Sequence, residues 1–223
     1  MKPAWLALAA IALAAHGQSA APAERETQGP VIQVDFSNPG LSPPQWTLTL
    51  HPNGKGHFRS KMLKPPGGWK EIEAPNLDRD FQVSPQFAER VFNTASRHNW
   101  FKEKCESHLK VAFQGWKTFT YTGPDGMGTC TFNYSKDKDI QELGDSMQAV
   151  AQTMLEGARL QTLLQHDPLG LDQEMEYLTE AVGDGRAQQV CAIRDILERL
   201  VQDDSVLDRV RKRARALLAL GPT

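Results

Sequence analysis

Cys105, Cys130 and Cys191 carry the most reactive side chains in this sequence, and their neighbours decide what chemistry is open to them. Cys105 stands three residues before His108 in KEKCESHLK, which raises the question of a thiolate–imidazole nucleophile. Such a nucleophile needs a depressed thiol pKa, a base within hydrogen-bond reach and a third group to orient that base. The segment leaves a helix and enters a strand, a poor platform for such precision, and an oxidised Cys105 has no thiolate to offer. Metal chemistry fares little better. His51 and His57 flank a hairpin turn and can approach across it, with Glu71, Glu73 and Asp78 as the nearest carboxylates. A closed zinc site takes four ligands and an open one three. These histidines, like His98 and His108, read as exposed polar residues, and neither a metal nor a cofactor is expected.

Other catalytic signatures are missing from the sequence. There is no G-x-S-x-G, and the serine of LGDSMQ falls inside an amphipathic helix. GPDGMG lacks the lysine and following helix of a phosphate-binding loop, and DKDIQELGD lacks the ligand spacing of a calcium loop. Adjacent acids such as Asp203 and Asp204 read as helix caps. Glycosidases join two acids that can lie far apart in sequence, so a cell-envelope hydrolase with dispersed acidic residues stands as the alternative function.

The N-terminus sets the compartment in which the cysteines are expected to work. Lys2, an apolar run from Ala4 to Ala15 and small residues after it have the layout of a secretory signal, with cleavage after Gly17, Ala20 or Ala21. The expected organisation is a signal peptide over 1–21, a flexible leader over 22–30, an α+β domain over 31–164 and a helical tail over 165–223. Past the signal no apolar run is long enough to cross a bilayer. The expected location is the periplasm or the exterior, where thiols pair by default. Three cysteines permit three single bridges and leave an odd one. The pair Cys105–Cys130, both in one compact stretch, is preferred, and closing a loop of that size stabilises a fold by roughly 3 kcal/mol. Cys191 is expected to pack against a neighbouring helix, with pairing between molecules as the other option.

Lys+Arg 25 against Asp+Glu 27 leaves a formal charge of −2, so no global field calls for nucleic acid. VIQVDF (31–36) and QWTLTLH (45–51) alternate as half-buried strands do, and Asn53-Gly54 suits the turn into HFRSKML. Residues 64–80, rich in Pro and Gly, read as a long loop. Ser84 and Pro85 open a helix with Phe87, Val91, Phe92 and Ala95 on one face. LKVAFQGWKTFTYTG and TCTFNYS form a second hairpin, with Phe113, Phe119, Tyr121, Phe132 and Tyr134 as its aromatic bulk. From Lys138 the pattern is helical: Ile140, Leu143, Met147, Val150 and Met154 mark a long helix to about Leu164, and three shorter ones follow. Ser205 and Asp208 suggest a capping box for the last. The fold class is therefore α+β: an antiparallel sheet of two hairpins with helices on one face, followed by a small helical stack.

The ββαββα order, carried by WTLTLHPNGKGHF, VSPQFAERVF and YTGPDG, resembles secreted bacterial domains of unknown function over about 31–164. CAIRDILERLVQDDSVLDRVRKRARALLAL is similar to a helical hairpin of HEAT type. Both resemblances imply binding surfaces and supply no catalytic residue. The expected function is thus a secreted or periplasmic, non-catalytic binding or interaction protein whose partner is an unidentified protein or envelope component. Trp69 in the long loop and Arg211 and Arg215 in the terminal helix are the candidate contacts, and Trp46, Trp100 and Trp116 are further anchors if exposed.

Overall fold

The computed structural model describes residues 29–61 and 76–221. The expected signal peptide, the expected leader up to residue 28, and Trp69, Glu71 and Glu73 lie outside them. Six strands, β1 (Val31–Ser37), β2 (Gln45–Leu50), β3 (Lys55–Lys61), β4 (Asp78–Gln82), β5 (Trp116–Gly123) and β6 (Gly126–Phe132), form one antiparallel sheet in the order β4-β3-β2-β1-β5-β6. The hairpin β2–β3 turns at Gly54, whose φ of 79° belongs to the region glycine tolerates best. The hairpin β5–β6 turns through Pro124-Asp125. The two hairpins do not touch each other directly. β1 lies between them, pairing Val34 with Leu48 on one side and with Phe119 on the other.

The expected long loop over 64–80 lies outside the described residues up to 75, and its last three positions are not loop. Asp78–Gln82 is an edge strand on β3, with Asp78 opposite Arg59 and Asp80 opposite His57. Its alternation is short and mostly charged, so it reads as loop. Cross-strand charge pairs and the inward Phe81 hold it in the sheet.

Every strand sends one set of side chains inward: Ile32, Val34 and Phe36 from β1, Trp46, Leu48 and Leu50 from β2, Phe119 and Tyr121 from β5. Over this face lie α1 (Pro85–Arg97) and α2 (Lys138–His166). Ser84 caps α1 by accepting from the Phe87 amide at 3.2 Å, and Asp137 caps α2 through the Asp139 and Ile140 amides. The helices α3 (Leu171–Gly183), α4 (Arg194–Gln202) and α5 (Asp208–Ala219) complete the fold. The last helix has no capping box: Ser205 instead donates to Asp203 within the preceding turn.

The tail is docked onto the sheet. Gln189 accepts from the Ser84 amide at 2.8 Å, Arg79 of β4 pairs with Asp195 of α4 at 2.8 Å, and the buried apolar residues of both parts form one continuous core. Close approach is set by glycine at one point. A Cβ on Gly157, in the middle of α2, would come within 2.5 Å of Ile193 Cγ2. Alanine gains about 1 kcal/mol of helix propensity over glycine, while overpacking a filled core costs about 1–3 kcal/mol. Gly157→Ala is therefore expected to lower stability, by up to about 2 kcal/mol, and a thermal melt beside the unchanged chain checks the sign.

Candidate functional site

Among the described residues, the route from α1 to β5 carries the longest run of positive-φ residues other than glycine. Directly after α1, Asn99, Trp100 and Phe101 have φ of 50°, 56° and 64°, three consecutive left-handed residues none of which is glycine. Each such residue costs roughly 1–2 kcal/mol. Burial of Phe101 and stacking of Trp100 on Tyr121, ring centroids 4.1 Å apart, hold the turn in place. Four residues later Cys105 is bonded to Cys130 of β6, with the Cα atoms 5.7 Å apart. The preferred pairing is thus the one present.

Next along the chain, Glu106 turns its carboxylate onto backbone. It accepts from the Asn133 amide at 2.6 Å, the His108 amide at 2.9 Å and the Ser107 hydroxyl at 3.3 Å. Burial opposes the charge on Glu106, but the amides of Asn133 and His108, the Ser107 hydroxyl and the Tyr134 amide together hold its carboxyl below the ordinary range. The far end is gripped by Asn133, whose side-chain oxygen accepts from the Gln114 amide at 2.7 Å while its Nδ2 donates to the Ala112 carbonyl at 3.3 Å.

Between these anchors every residue from 108 to 114 is exposed, and the apolar ones are large. Leu109, Val111, Phe113 and the first strand residue Trp116 are between 39% and 49% accessible, and Phe113 meets Trp116 edge to face at 6.0 Å. A three-residue turn, Val111 N–H donating to the Leu109 carbonyl at 3.0 Å, bends the segment once. This corrects the expected second hairpin: the strand begins at Trp116, and Phe113 belongs to the surface. β1 ends at Ser37 opposite Trp116, and β6 ends at Phe132 opposite Lys117, so earlier residues have no ladder on either side.

The open face of the sheet beside this loop has a different character. Two rows cross it, Thr131-Thr118-Asp35-Thr47-Arg59-Asp78 and Thr129-Thr120-Gln33-Thr49-His57-Asp80. Much of their hydrogen bonding is internal: Thr118 to Thr131 at 2.9 Å, Thr120 to Thr129 at 3.2 Å, and Thr47 and Gln33 both donating to Asp35.

The residues nominated from sequence fall in several places. Trp46 is buried against Phe36, Trp100 is packed on Tyr121, and among the described tryptophans Trp116 alone is exposed. Arg211 is bound to Asp204 at 2.6 Å with Asp208 at 3.6 Å. Arg215 is exposed on the same helix. Arg209 and Arg213 both grip Asp172 of α3, and these bonds, Arg209's foremost, hold that carboxyl below its ordinary range. His57 lies 2.8 Å from an oxygen of Asp78 and of Asp80, and among the described residues no group of three or more His, Cys, Asp or Glu is placed to hold a metal ion. His51, His57 and Cys191 line a cavity of about 780 Å³ at the β3–β4 edge. Burial pushes the Cys191 thiol pKa up, away from a reactive thiolate. Among the described residues no helix is long and apolar enough to cross a membrane.

A second cleft, about 470 Å³, has Trp46, Pro43 and Leu155 on its floor and Gln152, Tyr177 and Arg186 on its rim. Its charges are satisfied locally: Arg186 pairs with Asp184 at 2.7 Å and donates to the Tyr177 hydroxyl at 3.0 Å. Sequence reasoning singled out neither Glu106 nor Asn133. The one available signal was the alternation of Leu109, Val111 and Phe113 inside a disulfide-bracketed stretch, which is equally the pattern of a strand. The chain matches no protein-family model and no curated protein.

Two outcomes test the clamp. Asn133→Ala removes two hydrogen bonds and is expected to cost about 2 kcal/mol, with faster hydrogen exchange at residues 112–114 as the local readout. The depressed pKa of Glu106 gives stability that is present above the unfolded value of 4.5 and is lost as pH falls through the lower folded value. Amides 106–114 should lose protection on acidification before the sheet does, and Glu106→Gln should abolish that early step.

Proposed function

We propose that this chain is a non-catalytic binding protein of the periplasm or exterior, and that it engages a partner protein through the clamped segment 108–116. The observation that carries the reading is the concentration of exposed apolar side chains. Of the ten large ones among the described residues, four (Leu109, Val111, Phe113 and Trp116) lie within eight consecutive positions. Single exposed hydrophobes need no explanation, but four within eight positions, two of them in ring contact, point to an interface.

Its form suits one class of partner. Large side chains at alternate positions, on a backbone not used in a sheet, match a surface that receives an extended segment along a groove or sheet edge, with sockets for every second residue. The staple and the Asn133 clamp spare the complex much of the cost of ordering the segment. The disulfide supports an oxidising location. The resemblance to secreted ββαββα domains and to a HEAT-type hairpin is part of the same reading, since both imply binding surfaces.

The test is site-specific photocrosslinking in cells that export the chain, with the reactive residue at position 113 or, as a control, at Thr120 on the open sheet face. Position 113 should yield a single heavier adduct that disappears with Leu109→Asp, while Thr120 yields none. Leu109→Asp should leave the unfolding free energy within the range of ordinary surface changes, about ±0.5 kcal/mol. Equal crosslinking at both positions, or an adduct indifferent to Leu109→Asp, would overturn the proposal.

A further inference from the structure

Glu156 is the least expected residue of α2: a carboxyl group with no exposed surface, in a helix whose neighbours there are apolar. On one side its Oε1 accepts from the side-chain amide of Gln152 and from Arg159 Nη1, the latter at 3.0 Å. On the other side stands Glu174 of α3. Two buried oxygens, Glu156 Oε2 and Glu174 Oε1, have no donor between them, and Arg159 comes no nearer than 3.8 Å to Glu174. A proton placed on Glu156 Oε2 satisfies both at once, because a protonated carboxyl donates and an ionised one accepts. Without it, two anions face each other across a buried seam with one guanidinium between them.

We infer that Glu156 and Glu174 share one proton, and that this proton is a pH-operated latch holding α3 against α2. The charged groups acting on the pair are Arg159 from α2 and Glu174 itself from α3. From α5, Arg209 and Arg213 are committed to Asp172, Arg213 also reaching Glu176. From the Val190–Ile193 turn and α4, Ile193 and Ile196 close against the neighbouring Gly157. Burial first, and the hydrogen bond and charge of Glu174 after it, push the carboxyl pKa of Glu156 up to about 8, so the proton is lost in mildly alkaline solution.

The latch has a readable consequence. Gln152 lies one helical turn before Glu156, Tyr177 lies one turn after Glu174, and these two residues stand on the rim of the 470 Å³ cleft. Release of α3 therefore moves one wall of that cleft. The sign follows from the raised pKa: the latch contributes fully below the unfolded value of 4.5, and its contribution falls as pH rises towards the folded value and is gone above it.

Carbon-13 titration of the glutamate side chains in the full-length folded protein, from pH 4 to pH 10, tests the shared proton. One carboxyl carbon should titrate above pH 7, vanish in Glu156→Gln, and move down by more than one pH unit in Glu174→Gln. Hydrogen exchange tests the latch: after correction for intrinsic rates, amides of α3 should exchange at least tenfold faster at pH 9 than at pH 6.5. Glu156→Gln, whose amide reproduces the protonated group, should remove that difference. If every glutamate titrates below pH 6, the proton is not shared. If the alkaline titration survives Glu156→Gln, it belongs elsewhere. If α3 exchange is unaffected by pH, there is no latch. Should Glu156→Gln fail to fold, the Glu174→Gln shift decides alone.

Discussion

The structure depends on one helix packing against two unlike partners. With 29 residues, α2 extends about 43 Å at 1.5 Å per residue, much longer than the average helix. Its first half lies on the sheet, where Gly144 leaves room for the side chains of Lys117 and Phe132, and its second half receives the tail, where Gly157 leaves room for Ile193. Both glycines weaken the helix as a helix. They are tolerated because each lets a neighbour approach more closely than any side chain would allow. The sheet and the tail share a core as a result.

Burying polar groups along that helix has consequences. Lys117 interrupts the inward apolar row of β5, yet it is fully buried, its amine donating to the Asn133 carbonyl at 3.0 Å and lying 5.3 Å from the Phe132 ring centroid. Burial lowers its pKa, with Asp145 and Glu106 acting in the opposite sense. Glu156 meets the same desolvation from the other sign of charge. Both groups sit where α2 closes over its neighbours, so one packing requirement produces two buried ionisable groups. Lys117 also ties α2's underside to the loop, since Asn133 supplies the carbonyl that Lys117 holds and the side chain that clamps residues 112–114.

Much of this architecture was legible in local sequence. Alternation located β1 and β2, Asn53-Gly54 marked the turn into β3, Ser84 and Pro85 marked the start of α1, and the three-and-four spacing of apolar residues marked α2 and the tail helices. Properties that depend on distant neighbours were not legible. The central place of β1 is set by pairing across 79 to 91 positions with β5, which no local pattern encodes. β4 has too few apolar residues to announce itself. Leu109, Val111 and Phe113 alternate as a strand would, but whether they form one depends on where Ser37 and Phe132 happen to end. Glu156 lies inside an amphipathic helix, where a glutamate ordinarily reads as solvated, and its burial appears once α3 is in place.

Under the proposed reading, the position of the disulfide bears on binding as well as on stability. Both of its cysteines belong to the continuous core, and in the chain-entropy model a bridge closing 25 residues adds roughly 3 kcal/mol wherever it is placed. Here it closes on the lip of an exposed segment, next to three strained residues and a carboxylate devoted to backbone amides. An unpinned stretch would lose about 1–2 kcal/mol of backbone entropy for each residue ordered on association. Seven exposed residues, 108–114, held in advance by Cys105, Glu106 and Asn133, avoid a large part of that loss. Under the proposed reading, the same bonds that keep four apolar side chains in water also prepare them for a partner, which is why so much local structure is spent on a segment that buries so little.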